Sequence, residues 1–417
     1  MKVLVIGGGI IGMTTAYYLL QAGITVTVLE RRENAGLETS AGNAGLYSPS
    51  DAFAWASSSA LKMAIKSLLN RDLGIRYKPR FDPMLWRWSA SFVTQCRHSA
   101  WQRNSEAKYR LAEYSLYMLN KLQHDTNFDF DVSNEGIVYA CRDSSALEDL
   151  KQHFNFLEDR GLKLEHLDQD ALIQKIPALN ANAGIYAGAV YSPDCKTGDS
   201  AKFTQALARA CVNSGNCQLE YGVNVERILM DKKNISSVWT AKGEFKADSY
   251  VLAAGPYSGF LARQAGFRLP IYPIKGFSIT APIINDEMVP GPGFDDTERL
   301  VAMSKLGNRM RIASSAVFDG FDESHEPKDF HAILKLAREV FPDAADYDKA
   351  EYWAGLRPMT PSSKPILGSS PVSNLFLNVG HGHLGWTLSC GTGKVVADIV
   401  AGISPDTETS AFQLAGI

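Results

Sequence analysis

The first thirty residues predict a strand, a helix and a second strand. A short apolar run, 3–6, precedes a segment with helical periodicity, 11–21, and a second apolar run follows at 26–29. Gly23 separates the helical segment from the second run, and glycine commonly ends helices. Two parallel strands need a crossover of this kind, so the pattern predicts the opening βαβ unit of a parallel sheet.

The turn after the first strand has three glycines at the spacing Gly-x-Gly-x-x-Gly. Gly7 is placed to make the tight turn, Gly9 to let a pyrophosphate approach the backbone, and Gly12 to let the helix pack closely on the strand. The helix N-terminus offers N–H groups to the phosphates. Glu30 ends the second strand, where an acid accepts ribose hydroxyls. This context predicts an adenine-dinucleotide site, against the alternative of an apolar core strand with incidental glycines.

The composition is typical of a globular enzyme. The 417-residue chain is 45% hydrophobic and 21% charged, and its net charge of −3 argues against nucleic acid as a partner. Its six cysteines form no Cys-x-x-Cys pair and have no histidine at zinc spacing, so we expect free thiols and no metal site. We also expect no membrane-spanning helix, because no apolar run is long enough.

Three further segments favour FAD over NAD. Residues 38–45 form a small, polar, glycine-spaced loop, whose alternative interpretation is an ordinary solvent loop. Residues 378–387 form a glycine-rich turn before a helical pattern at 391–401, and such a helix N-terminus can stabilise negative charge on a reduced flavin. A predicted strand at 247–255 ends in Ala-Gly. Glycine-bearing turns from distant parts of the chain that converge on one cofactor fit a long, bound FAD better than an exchangeable NAD.

Seven segments resemble the small subunit of the D-amino-acid dehydrogenases, within the glycine oxidase and D-amino-acid oxidase superfamily. They are ETSAGNAG (38–45), LKMAIKSLL (61–69), RLAEYS (110–115), TGDSAKFTQALAR (197–209), YPIKGFSIT (272–280), WAGLRPMTPSSKPILG (353–368) and NVGHGHLGWTLSCGTGK (378–394). The resemblance covers nearly the whole chain. His383 and Ser50 depart from the pattern, which has a small polar residue and a glycine there. The resemblance implies a FAD-dependent enzyme that acts on D-amino acids.

The resemblance also implies an α/β architecture with two domains. One is a Rossmann-like FAD-binding domain of the glutathione-reductase type, expected at 1–55, 195–260 and 355–417. The other is an α+β substrate domain on a mixed or antiparallel sheet, expected at 56–194 and 261–354. Periodicity predicts helices at 105–123, 144–160, 204–212 and 329–340, and strands at 136–140, 219–229, 235–240, 271–280 and 309–313.

Motif and resemblance together indicate the residues that contact a non-covalently bound FAD, with Val225 placed near the adenine by resemblance alone. The predicted contacts are Gly7, Gly9, Ile10, Ile11, Gly12, Glu30, Arg31, Ser40, Asn43, Ala44, Gly45, Leu46, Val225, Ala254, Gly255, Gly380, Gly382, Leu384, Gly385, Trp386 and Thr387.

Two cationic residues are candidates for the substrate site. Arg357, by resemblance, binds the substrate carboxylate, for which a planar guanidinium is well suited. The alternative is a structural arginine paired with an acid at the domain boundary. Lys275 lies on a predicted strand and could polarise flavin N5 or hold a water molecule, or it could be a solvated lysine at a strand edge.

Four more residues complete the predicted site. His381 and His383 flank Gly382 and either line the site as polar contacts or titrate near neutral pH. Tyr47 and Ser48 follow the glycine-spaced loop and are expected to face the substrate, although Tyr47 could instead serve packing.

The expected reaction is hydride transfer from Cα of a D-amino acid to flavin N5, followed by hydrolysis of the imine to a 2-oxo acid and ammonia. The resemblance suggests a small or cyclic substrate such as D-alanine or D-proline, with a quinone or other respiratory acceptor. The nearest alternative is a glycine, sarcosine or proline-type amine oxidase that uses oxygen. Other classes are a non-catalytic flavoprotein or an FAD-dependent RNA-modifying enzyme, which the lack of a further basic aromatic groove argues against.

Residues 53–110 are unusually basic and rich in tryptophan. They contain four of the seven tryptophans and eleven lysines or arginines against three acids. Within them, 61–68 shows an amphipathic helical pattern, which together with nearby tryptophan is typical of a helix on an anionic membrane surface. A core-facing helix with a solvated basic flank is the alternative. With the resemblance, the pattern suggests a peripheral protein on the cytoplasmic face of an inner membrane.

Overall fold

The structure is a computed structural model that describes residues 1–60, 75–78 and 80–414. Its strands are β1 (Lys2–Ile6), β2 (Thr25–Glu30), β3 (Leu46–Tyr47), β4 (Ile75–Tyr77), β5 (Ile137–Cys141), β6 (Glu165–Leu167), β7 (Gly188–Ser192), β8 (Lys196–Thr197), β9 (Cys217–Tyr221), β10 (Val225–Asp231), β11 (Asn234–Thr240), β12 (Gly243–Phe245), β13 (Ser249–Leu252), β14 (Tyr272–Pro282), β15 (Gly293–Asp296), β16 (Val301–Leu306), β17 (Arg309–Phe318), β18 (Glu351–Met359), β19 (Ile366–Ser369) and β20 (Leu375–Val379). The α-helices are Ile10–Gln21, Pro83–Gln95, His98–Thr126, Ser144–Glu158, Gln169–Lys175, Ser200–Asn213, Ser258–Gln264, His331–Val340 and Gly385–Ala401.

A six-stranded sheet contains the N-terminal βαβ unit. Its strand order is β19-β20-β13-β1-β2-β9, and every neighbouring pair is parallel except β19 with β20. The helix Ile10–Gln21 packs against the C-terminal helix Gly385–Ala401, where a Cβ at Gly393 would lie 2.8 Å from the Thr14 hydroxyl. The two ends of the chain therefore meet beside this sheet, and the predicted α/β fold is confirmed.

The second large sheet is mixed. Its order is β18-β14-β17-β16-β15-β5-β7-β6, with β4 added beside β17. Its neighbours are antiparallel except for β5 with β15 and β4 with β17. Strand β18, which contains Arg357, belongs to this sheet, so the change from one sheet to the other comes after residue 359 rather than at residue 355.

Several predicted elements were wrong in their extent, such as the helix expected at 105–123, which is His98–Thr126, and two of them bear on the fold around the cavity. The single strand expected at 219–229 is interrupted at Gly222, whose φ of +67° favours glycine, so β9 lies in the six-stranded sheet and β10 in a separate three-stranded one. The C-terminal helix begins at Gly385, six residues before the predicted start at 391. Gly391 therefore lies inside this helix. A Cβ there would be 2.9 Å from the backbone of Ser115, so the glycine allows close packing at this point.

The basic, tryptophan-rich segment is only partly at the surface. The amphipathic pattern at 61–68 lies outside the described residues. Trp88 and Trp101 are buried, and the Trp88 Nε1–H donates to the Met359 carbonyl at 2.8 Å. Trp86 is 53% exposed beside Phe81, which is 81% exposed. Within the described part of the chain, no helix combines the length and apolar character that crossing a membrane requires.

Candidate active site

A cavity of about 980 Å³ is lined by both large sheets. Gly7, Gly9 and Glu30 line it from the carboxyl ends of strands in the six-stranded sheet. Arg357 and Ser315 line it from β18 and β17 of the mixed sheet. Ligands of open parallel sheets bind at the carboxyl ends of the strands, which is where this cavity lies.

The glycine turn is shaped as its spacing predicts. Gly7 has a φ of +111°, and a Cβ there would lie 2.5 Å from the Ala253 carbonyl oxygen. A Cβ at Gly12 would lie 1.8 Å from the Gly7 carbonyl oxygen, so this glycine allows helix and strand to pack. A Cβ at Gly9 would meet only the Ser40 hydroxyl, at 3.6 Å. Gly9 therefore keeps space open in the cavity rather than within the protein core.

Glu30 is held by backbone amides at the end of β2. Its Oε2 accepts from the Gly8 N–H at 2.7 Å, and its Oε1 accepts from the Arg32 N–H at 2.8 Å. Burial raises the pKa of Glu30, although these two hydrogen bonds oppose the shift. Each carboxylate oxygen has capacity for a second hydrogen bond, so the group can also accept ribose hydroxyls.

Most of the predicted cofactor contacts lie together on the cavity wall. The predicted residues that line it are Gly7, Gly9, Ile10, Ile11, Glu30, Arg31, Ser40, Asn43, Ala44, Leu46, Val225, Ala254, Gly255, Gly380, Gly382, Leu384, Gly385 and Trp386. Arg31 also pairs with Glu38 and stacks on Tyr257. The other three lie behind the wall: Gly12 packs against β1, Gly45 lies against the Ser304 hydroxyl, and the Thr387 hydroxyl accepts from the Ser48 N–H.

The cavity fits FAD in its chemistry. At the start of the helix Ile10–Gln21, the Ile10 N–H donates to the Ser40 hydroxyl at 3.1 Å, and the cap residue Gly9 makes no side-chain hydrogen bond, so the next amides of the turn can bind phosphate. Asn378 Oδ1 and Trp386 Nε1 are buried polar atoms without a hydrogen-bond partner among the described residues, and both residues line the cavity. Buried polar groups normally have partners, so these two indicate a polar ligand.

Arg357 is a free cation in the cavity. Its Nη1 donates to the Ser315 carbonyl at 2.5 Å, and it has no acidic partner in the described part of the chain. Ser315 has a φ of +74° beside an irregularity in the pairing of β14 with β17, which turns its carbonyl toward the guanidinium. A Cβ at Gly276 would lie 2.5 Å from that guanidinium, so glycine there makes room for it. Burial lowers the pKa of Arg357 to about 10, which still leaves it charged at neutral pH.

The two histidines near the cavity are uncharged. His381 Nε2 lies 3.1 Å from the Thr392 hydroxyl, and burial lowers its pKa to about 3. The His383 ring stacks on Trp55, and its Nε2 lies 3.6 Å from Asp51. Burial, with the charges of Lys108 and Arg357, holds the pKa of His383 well below its usual range. Of the two predicted roles, polar lining fits these histidines, and titration near neutral pH does not.

Two residues predicted to belong to the site, Tyr47 and Lys275, lie elsewhere. Tyr47 is fully buried, its hydroxyl is 2.7 Å from the Ser115 hydroxyl, and its ring packs on Trp386. Lys275 is also buried, 3.1 Å from Asp319, and donates to the Ser324 carbonyl. Neighbouring strand residues point to opposite faces, so Gly276 faces the cavity and Lys275 does not. Ser48, by contrast, does line the cavity.

Several cavity residues gave no usable sequence signal. Residues from three separate parts of the chain line the wall: Asp51 with Trp55, Asp295, and Trp353. A Cβ at Gly42 or Gly355 would lie about 2 Å from the Trp353 ring, so these glycines make room for it. Strand alternation around Asp295, between buried Phe294 and Asp296, is the one pattern that could have placed a carboxylate on this wall.

Comparison with known proteins gives a consistent result. The chain matches the FAD dependent oxidoreductase (DAO) family over residues 2–399. It is 41% identical to D-amino acid dehydrogenase 2 of Mesorhizobium japonicum over 416 residues, covering 100% of each chain. It is also 41% identical to D-amino acid dehydrogenase of Paramagnetospirillum magneticum over 403 residues, which is 96% of this chain and 95% of the other.

Among solved structures, glycine oxidase from Geobacillus kaustophilus superposes with a TM-score of 0.76 at 22% identity, covering 100% of this chain and 99% of the other. At that identity the likeness shows a shared fold. The family match extends over nearly the whole sequence and includes both sides of the cavity. The chain therefore belongs to the FAD dependent oxidoreductase (DAO) family, with FAD as its cofactor.

Proposed function

We propose that the protein oxidises D-amino acids at Cα to an imine, which water converts to a 2-oxo acid and ammonia, and that a quinone or another respiratory acceptor receives the electrons. The observation that carries this proposal is Arg357. It is charged, has no acidic partner among the described residues and faces the cavity that the dinucleotide turn also lines. The names of relatives at 41% identity support a D-amino acid as the substrate.

The contribution of the protein is to bind and orient the substrate. Bound FAD supplies the two-electron oxidant. Arg357 presents a planar fork that can bind a carboxylate through two hydrogen bonds, and the Ser315 carbonyl fixes the orientation of that fork. The neighbouring histidines are neutral, so they do not compete for the carboxylate. A substrate carboxylate is therefore directed to one side of the cavity, which sets where its Cα lies.

We also propose that the protein binds the cytoplasmic face of an inner membrane. Phe81, Trp86 and Val93 are exposed on or beside the helix Pro83–Gln95, and Arg87 is exposed on the same helix. An exposed apolar and aromatic surface with cationic neighbours favours an anionic bilayer. Trp88 and Phe92 of this helix line the cavity, so the surface lies close to the redox site, which suits exchange of electrons with a membrane quinone.

Anaerobic reduction of the bound flavin tests the reaction. The purified protein is mixed with D- and L-isomers of alanine, proline and arginine, and with glycine and sarcosine, and then reoxidised with a quinone analogue or with air. The proposal predicts bleaching by D-isomers, with reoxidation faster by quinone than by air. Bleaching by glycine or sarcosine with rapid peroxide release would instead establish an amine oxidase.

Vesicle binding tests the location. Sedimentation with vesicles of anionic or neutral lipid should show binding to the anionic vesicles only. The double variant Phe81→Ser, Trp86→Ser should lose most of that binding, while Tyr117→Ser, which removes another exposed aromatic ring, should retain it. Equal binding by the two variants would contradict the proposed surface.

A further inference from the structure

Asp51 and Asp295 are carboxylates of the cavity wall that have no role in the proposed reaction. Asp51 ends the short 3₁₀ turn Pro49–Asp51, and Asp295 lies on β15 of the mixed sheet. On neighbouring strands Asp295 is level with Tyr139 of β5 and Ala302 of β16. Both of these residues also line the cavity, so Asp295 stands on a wall where a small neighbour leaves space beside it.

The acids in this region differ in their partners. Asp296, on the opposite face of β15, pairs with Arg142 at 2.8 Å and accepts from the Tyr186 hydroxyl at 2.9 Å. The buried Lys108 ammonium partly offsets the charge of Asp51. The Asp295 carboxyl has neither a hydrogen bond nor an ion pair with any described residue. Burial, and the charges of Asp51 and Asp296, raise its pKa well above the usual range.

An unpaired carboxylate inside a protein is unfavourable unless something compensates it. A cation brought by a ligand would do so, because it would supply the partner that the chain lacks. Perturbed carboxylates on a cavity wall are therefore candidates for ligand recognition. Asp51 and Asp295 line the same cavity, and carboxylates are the usual partners of guanidinium and ammonium groups.

The acids and Arg357 share one cavity. Arg357, His383, Asp51 and Asp295 all line it, and His383 Nε2 lies 3.6 Å from Asp51. Trp55 stacks on His383 and lines the same cavity, giving an apolar surface for an aliphatic chain. A ligand with a carboxylate at one end and a cation at the other would match the charges of this wall.

We propose that Asp295, assisted by Asp51, binds a cationic side chain, and that the preferred substrates are D-amino acids whose side chain ends in a guanidinium or ammonium group. The inference rests on the proposed D-amino acid oxidation and narrows its substrate class. It differs from the small or cyclic substrates that the resemblance suggests.

Substrate comparison in a charge-neutral variant tests this inference. D-Arginine and D-norleucine both carry an unbranched aliphatic chain, but only the first has a side-chain cation. We expect the wild type to favour D-arginine in kcat/KM by about 30-fold, as for a charge-assisted hydrogen bond. Asp295→Asn is nearly isosteric and should remove most of this preference, because kcat/KM should fall much further for D-arginine than for D-norleucine. Asp286→Asn, the same change at an exposed acid, should leave the preference intact.

The outcomes separate the inference from the proposed function. An equal loss for both substrates in Asp295→Asn would place the carboxylate at the substrate amine and overturn the inference, as would a wild type that does not prefer D-arginine. Calorimetric binding of 5-guanidinopentanoate and hexanoate gives a second readout that needs no turnover. If the wild type binds the guanidino acid more tightly than hexanoate, and Asp295→Asn loses this difference, then Asp295 and Asp51 bind the cation. This result would support the inference even if no D-amino acid reduced the flavin. In that case only the proposed reaction would fail.

Discussion

The two ends of the cavity are built in different ways. At the dinucleotide end the shape comes from the backbone, since Gly7, Gly9 and Gly12 occupy positions that a side chain would fill or strain. At the substrate end the chemistry comes from side chains of β15 and β18, brought together by strand pairing. The first end is specified by a short run of sequence, whereas the second depends on register between segments far apart in the chain.

The largest effects are expected within the glycine turn, where Gly12 and Gly9 have different tasks. Gly12→Ala places a Cβ 1.8 Å from a backbone oxygen, so we expect it to lower the free energy of unfolding by about 3 kcal/mol. Gly9→Ala meets the protein only at ordinary contact distance, so the apoprotein should keep its stability while FAD affinity falls. Urea unfolding of apoprotein and FAD titration measure the two quantities. Equal losses of stability would contradict the division of roles.

Lys275 and Arg357 are two cations with different roles. Lys275 is paired with an acid and is structural, whereas Arg357 is free to bind a ligand. Lys275→Met breaks a buried ion pair with Asp319 and should lower the free energy of unfolding by about 3 kcal/mol. Lys78→Met removes a 57% exposed partner of the same carboxylate and should cost less than about 1 kcal/mol. Neither should change the rate of flavin reduction at saturating substrate. A large fall in that rate for Lys275→Met alone would show that Lys275 takes part in the reaction.

His381 should make the protein sensitive to acid. Its pKa is about 3 in the folded protein against an ordinary value of 6.5, so the unfolded chain gains a proton first as the pH falls. The free energy of unfolding should therefore be highest above pH 6.5 and should fall as the pH approaches 3. Between pH 7 and pH 4 the fall should be up to about 3 kcal/mol. His381→Asn should flatten this part of the curve of Tm against pH, and His124→Asn, at an exposed histidine, should not. Parallel curves for all three proteins would refute the assignment.

The smallest effect concerns the backbone at Ser315. Its φ of +74° is unfavourable for a residue with a side chain, so Ser315→Gly should raise the free energy of unfolding by up to about 1 kcal/mol. Ser315→Val should lower it, because a branched Cβ is strained there. Only the carbonyl of this residue contacts Arg357, so the glycine variant should keep its kcat/KM. A substantial loss of activity in that variant would show that the serine side chain or the strain itself matters.

The same contrast explains what the sequence could reveal. The βαβ unit, its glycine turn and Glu30 were predictable because local spacing defines them, and most of the predicted cofactor contacts line the cavity. Arg357 entered through a resemblance, and only the fold shows it facing Gly276 and Ser315. Lys275 and Tyr47 were misplaced because the face on which a strand residue lies depends on the register of its neighbours. Asp295 was missed because strand alternation indicates the face on which an acid lies but does not show which residues surround it.

The central claim is that Arg357 binds the substrate carboxylate in the cavity that also holds FAD. The most direct test compares anaerobic flavin reduction by the best D-amino acid and by its carboxamide, in the wild type and in Arg357→Met. The account predicts that the wild type prefers the acid by about 100-fold or more, as for a buried charge pair, and that Arg357→Met reacts with both compounds at similar low rates. A variant that retains the wild-type preference would show that the carboxylate binds elsewhere.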